Sequence, residues 1–137
     1  MATYNVLATA YIGQGIFPRT EPILLDPRHC IPVCAARIED LDADVVRLQE
    51  VEDGMFAEID CRLSPLGYDG ALTKKGGSKP DGCAVFVRSP QAELFKVMRV
   101  DYDDALSGQS RSGHLAQLSV VKYAEQLLGI ANTHFEL

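Results

Sequence analysis

The sequence carries no surplus of positive charge. Its 13 Lys and Arg stand against 19 Asp and Glu, for a net charge of −6. A protein that coats nucleic acid is thereby disfavoured, because phosphate contacts need Lys and Arg. An enzyme that meets phosphates through a bound cation is not. There is no long apolar run and no leader-like start, so no membrane partner is expected. The four cysteines, Cys30, Cys34, Cys61 and Cys83, form no CxxC pair. Free thiols in a cytoplasmic protein are the expectation, rather than disulfides or a paired zinc site. No repeat and no second domain are visible, and 137 residues suffice for one core. Hydrophobic content of 47% with 23% charged residues excludes a disordered chain.

What is present alternates between strand and helix patterns. "TYNVLAT" (3–9) reads as a strand, and 13–29, with its Gly and Pro, as a long irregular connection. Pro32 suits a first helical turn, and Val33, Ala36, Ile38 and Leu41 then make a modest apolar stripe. Asp44 to Glu50 is the next strand. Residues 53–64 predict a helix with Met55, Phe56, Ile59 and Leu63 on one face. "LGYDGALT" and "CAVFVRS" read as strands flanking the loop "TKKGGSKPDG". Further strands are expected at 93–102, at 115–123 and in "LLGIANTHFEL". Early alternation followed by strand after strand implies an α/β layered fold with a mixed sheet.

Polar residues gather at three strand ends: Asn5, the pair Gln49 and Glu50, and the run Asn132, Thr133 and His134. Each alone has an ordinary explanation. A strand-end Glu is commonly solvated or paired with Lys, a strand Asn caps a turn, and a lone His is a satisfied imidazole. Their concentration at strand ends is what matters, since α/β scaffolds hold functional groups there rigidly.

The blocks "TYNVLA", "DADVVRLQEVE", "LGYDG", "KPDGCAVF" and "ANTHF" occur in the order seen in the endonuclease/exonuclease/phosphatase superfamily. Within it the chain most resembles the deadenylase branch that includes nocturnin and the angel proteins. The resemblance implies a layered α/β sandwich with mixed sheets, half of a four-layer fold. The family's later Gly-Asp-x-Asn and Ser-Asp-His blocks have no counterpart before Leu137. Residues 1–137 thus correspond to a single partial domain, its C-terminal half absent. The implied activity is metal-dependent phosphodiester hydrolysis, nuclease-like or phosphatase-like. The alternatives are a catalytically dead binding module of the same fold and a fragment with no activity of its own.

By the same resemblance, Glu50 is the metal-binding glutamate, with Mg²⁺ expected and Mn²⁺ a substitute. A hard carboxylate at a rigid strand end suits such an ion. Asn5 is implied to sit beside the metal, and His134 to face the scissile phosphate. Asn132, two residues before His134 on one strand face, is implied either as a catalytic companion or as a core hydrogen-bond partner. Lys75 is placed to contact a substrate phosphate, with Lys74 the substitute if the loop is shifted by one. The ordinary reading of that loop is a mobile one with solvated lysines, and it contains no P-loop motif. "PDG" reads as turn chemistry before "CAVFV". Cys83 reads as a small buried hydrophobe. The expected ligand is an RNA 3′ end or a small phosphorylated nucleotide. An exposed sheet face is expected too, which a homo-oligomer could hide. Two residues depart from the family pattern. Arg47 interrupts a buried strand and needs a partner, and Glu136 puts a carboxylate two residues past His134.

Overall fold

The computed structural model describes residues 1–102 and 113–134. Glu136 lies outside the described residues. Strand β1 (Ala2–Asn5) leads through 3-10 turns at Thr9–Tyr11 and Pro22–Leu25 into helix α1 (Pro27–Asp40). Strand β2 (Val45–Glu52) follows, then helix α2 (Asp53–Leu63) and the hairpin of β3 (Tyr68–Lys74) and β4 (Asp81–Arg88). A meander of β5 (Ala92–Asp101), β6 (Leu115–Tyr123) and β7 (Gln126–Thr133) completes the order.

The strands make two sheets. One runs β1-β2-β4-β3, with β1 parallel to β2 and the other pairs antiparallel. The other, β5-β6-β7, is antiparallel throughout. The layered α/β sandwich expected from the sequence is therefore present, with one mixed sheet and one antiparallel one. The β1-α1-β2 unit has the crossover that parallel pairing demands.

Two apolar cores enclose the first sheet. On its helix side, Val46, Leu48 and Val51 of β2 and Ala84 and Phe86 of β4 pack against Ala35, Ile38, Met55, Ile59 and Leu63. On the other side, Val45, Val85 and Val87 meet Ala92, Val121 and Ile130 of the second sheet. Strand β4 is thus buried on both faces, which is why "CAVFV" is continuously apolar rather than alternating. The ring of Phe86 lies over Gly70 on the neighbouring strand, where a Cβ would stand 2.4 Å from its Cε1. On β5 and β7, by contrast, Phe95, Met98, Val100 and Leu127 are exposed.

Several elements begin elsewhere than the sequence pattern predicts. Helix α1 starts at Pro27, not near Pro32, because the Asp26 carboxylate accepts from the Arg28 amide and Pro27 occupies the first turn. Pro32 is inside the helix, where its missing N–H cannot serve the Arg28 carbonyl. Strand β1 stops at Asn5, where the chain turns through Leu7 at φ 56°. Asp81 and Gly82 belong to β4 rather than to a turn. At Gly82 a Cβ would lie 2.1 Å from the Thr73 carbonyl oxygen, so the strand pair closes only over glycine there. Arg47 finds its partner across the sandwich: its Nη1 donates to the Ala131 carbonyl at 3.1 Å.

Candidate metal and phosphate site

The key local feature is a bulge in β2. Gln49 pairs with Cys83 and Val51 with Gly82, which leaves Glu50 as the inserted residue. Strict alternation after Leu48 would send Glu50 into the apolar helix-side core. Instead Val51 fills that place, and Glu50 takes a left-handed backbone at φ 59°. A non-glycine residue in that region costs on the order of 1 kcal/mol. Its carboxylate is turned toward the end of β1, with the residue only 7% exposed.

Three strands converge on it. The Asn5 Nδ2 donates to Glu50 Oε1 at 2.7 Å and lies 3.3 Å from His134 Nε2. His134 Nε2 is 3.5 Å from the same Glu50 oxygen. The other oxygen, Oε2, accepts from the Ala8 backbone N–H at 3.1 Å. Asn5 is itself oriented, because its Oδ1 accepts from the Leu7 amide at 2.9 Å. The chain turn after β1 thus supplies an amide to each of Asn5 and Glu50. Residues 129 positions apart, Asn5 and His134, meet here.

Glu52, two residues further on, holds the next part of that turn. It accepts from the Thr9 and Ala10 amides at 2.9 and 3.1 Å and also from the Thr9 hydroxyl. Although Glu52 precedes α2, it makes no side-chain cap there. Glu50 and Glu52 are held by neutral amide and hydroxyl donors, with His134 beside Glu50.

A hard divalent cation fits this donor set. An ionised carboxylate offers about four lone-pair directions, and the Asn5 and Ala8 bonds occupy two of Glu50's. Magnesium binds through one or two protein carboxylates, completed by water and phosphate oxygens. Among the described residues no group of three or more His, Cys, Asp and Glu side chains could hold a metal by itself. In such a site Glu50 would be the ligand. Asn5, whose oxygen is turned to Leu7 and whose amide donates to the carboxylate, orients that ligand.

The remaining sequence candidates lie elsewhere. Asn132 is buried between the sheets, where its Nδ2 donates to the carbonyls of Leu48 at 2.9 Å and Ala84 at 3.0 Å. Of the two readings weighed for it, the structure shows the core hydrogen-bond partner. Lys75 is buried, its Nζ 2.8 Å from Asp81 Oδ2, and Tyr11 donates its hydroxyl to Asp81 Oδ1 at 2.8 Å. Asp81 is 0% exposed. Lys74 is partly exposed and pairs with Asp53 at 2.9 Å. Lys74 and Lys75 are thus tied to carboxylates rather than free at the loop surface. Glu52, Asp81 and Tyr11 were not singled out from the sequence. The one signal for Glu52 was its place two residues beyond Glu50. Cys83 is buried as expected, and that burial pushes its thiol up to about 11. The cysteines are free.

An apolar cavity of about 530 Å³ opens beside β1 and α1, lined by Tyr4, Leu7, Phe17, Cys30 and Val33 among others. The carboxylates of Glu50 and Glu52 are not among its walls.

Comparison with known proteins shows the family of the chain. The chain is 31% identical over 107 residues to carbon catabolite repressor protein 4 homolog 4 of Arabidopsis thaliana, covering 76% of this chain and 25% of that protein. It is 35% identical over 123 residues to protein angel homolog 2 of Mus musculus, covering 78% and 23%. The chain therefore spans about a quarter of the length of these relatives. Among solved structures it is similar to ANGEL2, a 2′,3′-cyclic phosphatase, in complex with adenosine-2′,3′-vanadate. The TM-score is 0.82 at 27% identity, over 98% of this chain and 40% of that one. The profile of the Endonuclease/Exonuclease/phosphatase family matches residues 2–124, and with the order of its strands and the relatives it resembles, the chain belongs to that family.

Proposed function

We propose that this chain carries the first half of a metal-dependent phosphodiester hydrolase site, with Glu50 as the ligand of Mg²⁺ or Mn²⁺. The observation that carries the reading is the meeting of Asn5, Glu50 and His134 at one sheet end, around a carboxylate held by neutral donors. No Lys or Arg offsets a carboxylate so held, which leaves it available to a metal ion. When bound, the cation supplies neutralisation of phosphoryl oxygens and alignment of the attacking water. Asn5 holds Glu50 in its rotamer, and Ala8 fixes the second oxygen. His134 presents its Nε2 to the same space, where a protonated imidazole donates to charge developing on a phosphate.

The substrate class we propose is an RNA 3′ end or a small phosphorylated nucleotide. Support comes from the solved relative, which is a 2′,3′-cyclic phosphatase bound to an adenosine-vanadate adduct. With Glu50 as the one carboxylate of the site among the described residues, the chain by itself is expected to bind the cation and turn over little or no substrate. We further propose that the exposed apolar residues of β5 and β7, including Met98, Val100 and Leu127, pack against further polypeptide of the family domain or a second copy of the chain.

The test is a calorimetric titration of Mn²⁺ into the chain and into Glu50→Ala, with hydrolysis of a short oligoadenylate followed in parallel. Saturable binding that disappears in the variant is expected. Equal behaviour of the two proteins in both assays would end the metal reading.

A further inference from the structure

Glu50 and His134 belong to different sheets, so no backbone ladder fixes the distance between them. Apolar contact between stacked sheets is non-directional and tolerates sliding. Something directional has to hold the two strands in register if the site is to keep its geometry. Immediately behind the site lies a row of hydrogen-bonded side chains that does this. Gln49 Nε2 donates to Asn132 Oδ1 at 2.6 Å and to Thr3 Oγ1 at 3.1 Å. Asn132 Nδ2 donates to the Leu48 carbonyl of β2 and to the Ala84 carbonyl of β4. An amide nitrogen has two hydrogens to give, and both are used in each of these residues.

The placement follows the site residue by residue. Thr3 is two positions before Asn5 on β1, Gln49 is adjacent to Glu50 on β2, and Asn132 is two positions before His134. Each strand that supplies a site group also supplies one member of the row, roughly 6–7 Å away along β1 and β7. We propose that Gln49 and Asn132, with Thr3, are positioning residues that set the Glu50–His134 distance across the gap between the sheets. The proposal takes the identity of the site from the reading above, but its geometric content stands without a metal.

A built-in control exists. Gln117, the register partner of Asn132 on β6, also bonds across the gap: the two hydrogens of its Nε2 are shared among the Ala71 and Cys83 carbonyls and Thr73 Oγ1, all within 3.1 Å. It joins the sheets through β3 and β4 and touches neither Thr3 nor Gln49 in these bonds. A row that merely stabilised the sandwich would make Gln117 equivalent to Asn132.

The experiment compares Gln49→Met, Asn132→Leu and Gln117→Met with the parent chain by NMR without metal. Its readout is the nuclear Overhauser contact between the Asn5 side-chain amide protons and the His134 ring, which their 3.3 Å approach predicts. The contact is expected to vanish in the first two variants and to persist in Gln117→Met, although all three lower the melting temperature. Should Asn132→Leu or Gln49→Met fail to fold, Asn132→Ala and Gln49→Ala remove the donors without adding bulk or a buried charge, and the same loss is expected. Persistence of the contact in both variants, its loss in Gln117→Met, or its absence in the parent overturns the proposal. A parallel Mn²⁺ titration is expected to show about 10-fold weaker binding in the two variants. A parent that binds no Mn²⁺ defeats the metal reading alone, because the metal-free contact is scored separately.

Discussion

Strand β2 has carboxylates at both ends, and they are treated in opposite ways. Before its first residue, Asp42 and Asp44 close on Arg88: Nη2 donates to Asp44 Oδ1 at 2.9 Å and Nη1 to Asp42 Oδ1. The Tyr123 hydroxyl adds a bond to Asp44 Oδ2 at 3.3 Å, and the guanidinium stands 5.4 Å over the Tyr68 ring. These two carboxylates push the Arg88 pKa above its ordinary value. At the other end, Glu50 and Glu52 are met by amides, a hydroxyl and an imidazole. Charge at the first end is paired with a guanidinium and becomes part of the structure. At the second end geometry is fixed while charge is left over, which is what a cation site requires. The contrast separates acids paired with a guanidinium from acids met by neutral donors, where the sequence shows only acids.

The sharpest way to break that contrast is to neutralise one acid at each end. Glu50→Gln is isosteric and should weaken Mn²⁺ binding by about 100-fold or more, read by calorimetry. Asp44→Asn should leave that binding unchanged, and equal effects of the two would erase the distinction. Next in size, Arg88→Met leaves Asp44 without its cation in a partly buried position. The expected outcome is a lower midpoint in urea unfolding. Metal affinity should be untouched.

Smaller still is Glu52→Ala, which releases the Thr9 and Ala10 amides. About 1 kcal/mol of stability should go, as for loss of a helix cap, and the turn carrying Ala8 should loosen. A drop in Mn²⁺ affinity without a comparable drop for Arg88→Met would sharpen the difference between the two ends. The smallest effect is chemical. Cys83 sits opposite Gln49 in the buried sheet, and burial raises its thiol to about 11. At pH 8 roughly one thiol in a thousand is then ionised, so iodoacetamide should modify exposed Cys61 well before Cys83. Raising the pH toward 11 should narrow the gap, and rapid labelling of Cys83 at pH 8 would show that end of β2 to be open to water.

Much of this was legible in the chain. Helix α2 was expected at 53–64 and spans Asp53–Leu63, because Met55, Ile59 and Leu63 recur with helical period. Strand β6 fell where expected, at Leu115–Tyr123. Helix α1 was placed late because Pro32 resembles a starting residue, and the real start depends on the Asp26 cap. The "PDG" segment reads as a turn in any local scheme. Its Asp81 is instead a buried partner of Lys75 and Tyr11, brought together from three parts of the chain.

The sequence by itself determined which segments become strands, that acids and amides collect at their ends, and to which family the chain is similar. Hydrophobic period and local turn chemistry act over a few residues, so they leave a readable trace. Only the tertiary structure decided what those polar groups do. The bulge that spares Glu50 from the core shows only in the pairing of β2 with β4, where Gln49 meets Cys83 and Val51 meets Gly82, and such pairing is invisible along one strand. Asn132 and His134 both precede the chain's last residues by only a few positions. One became a hydrogen-bond anchor between sheets, and the other meets Asn5 and Glu50 at the sheet end, because the stacking of the two sheets sets what each strand position faces.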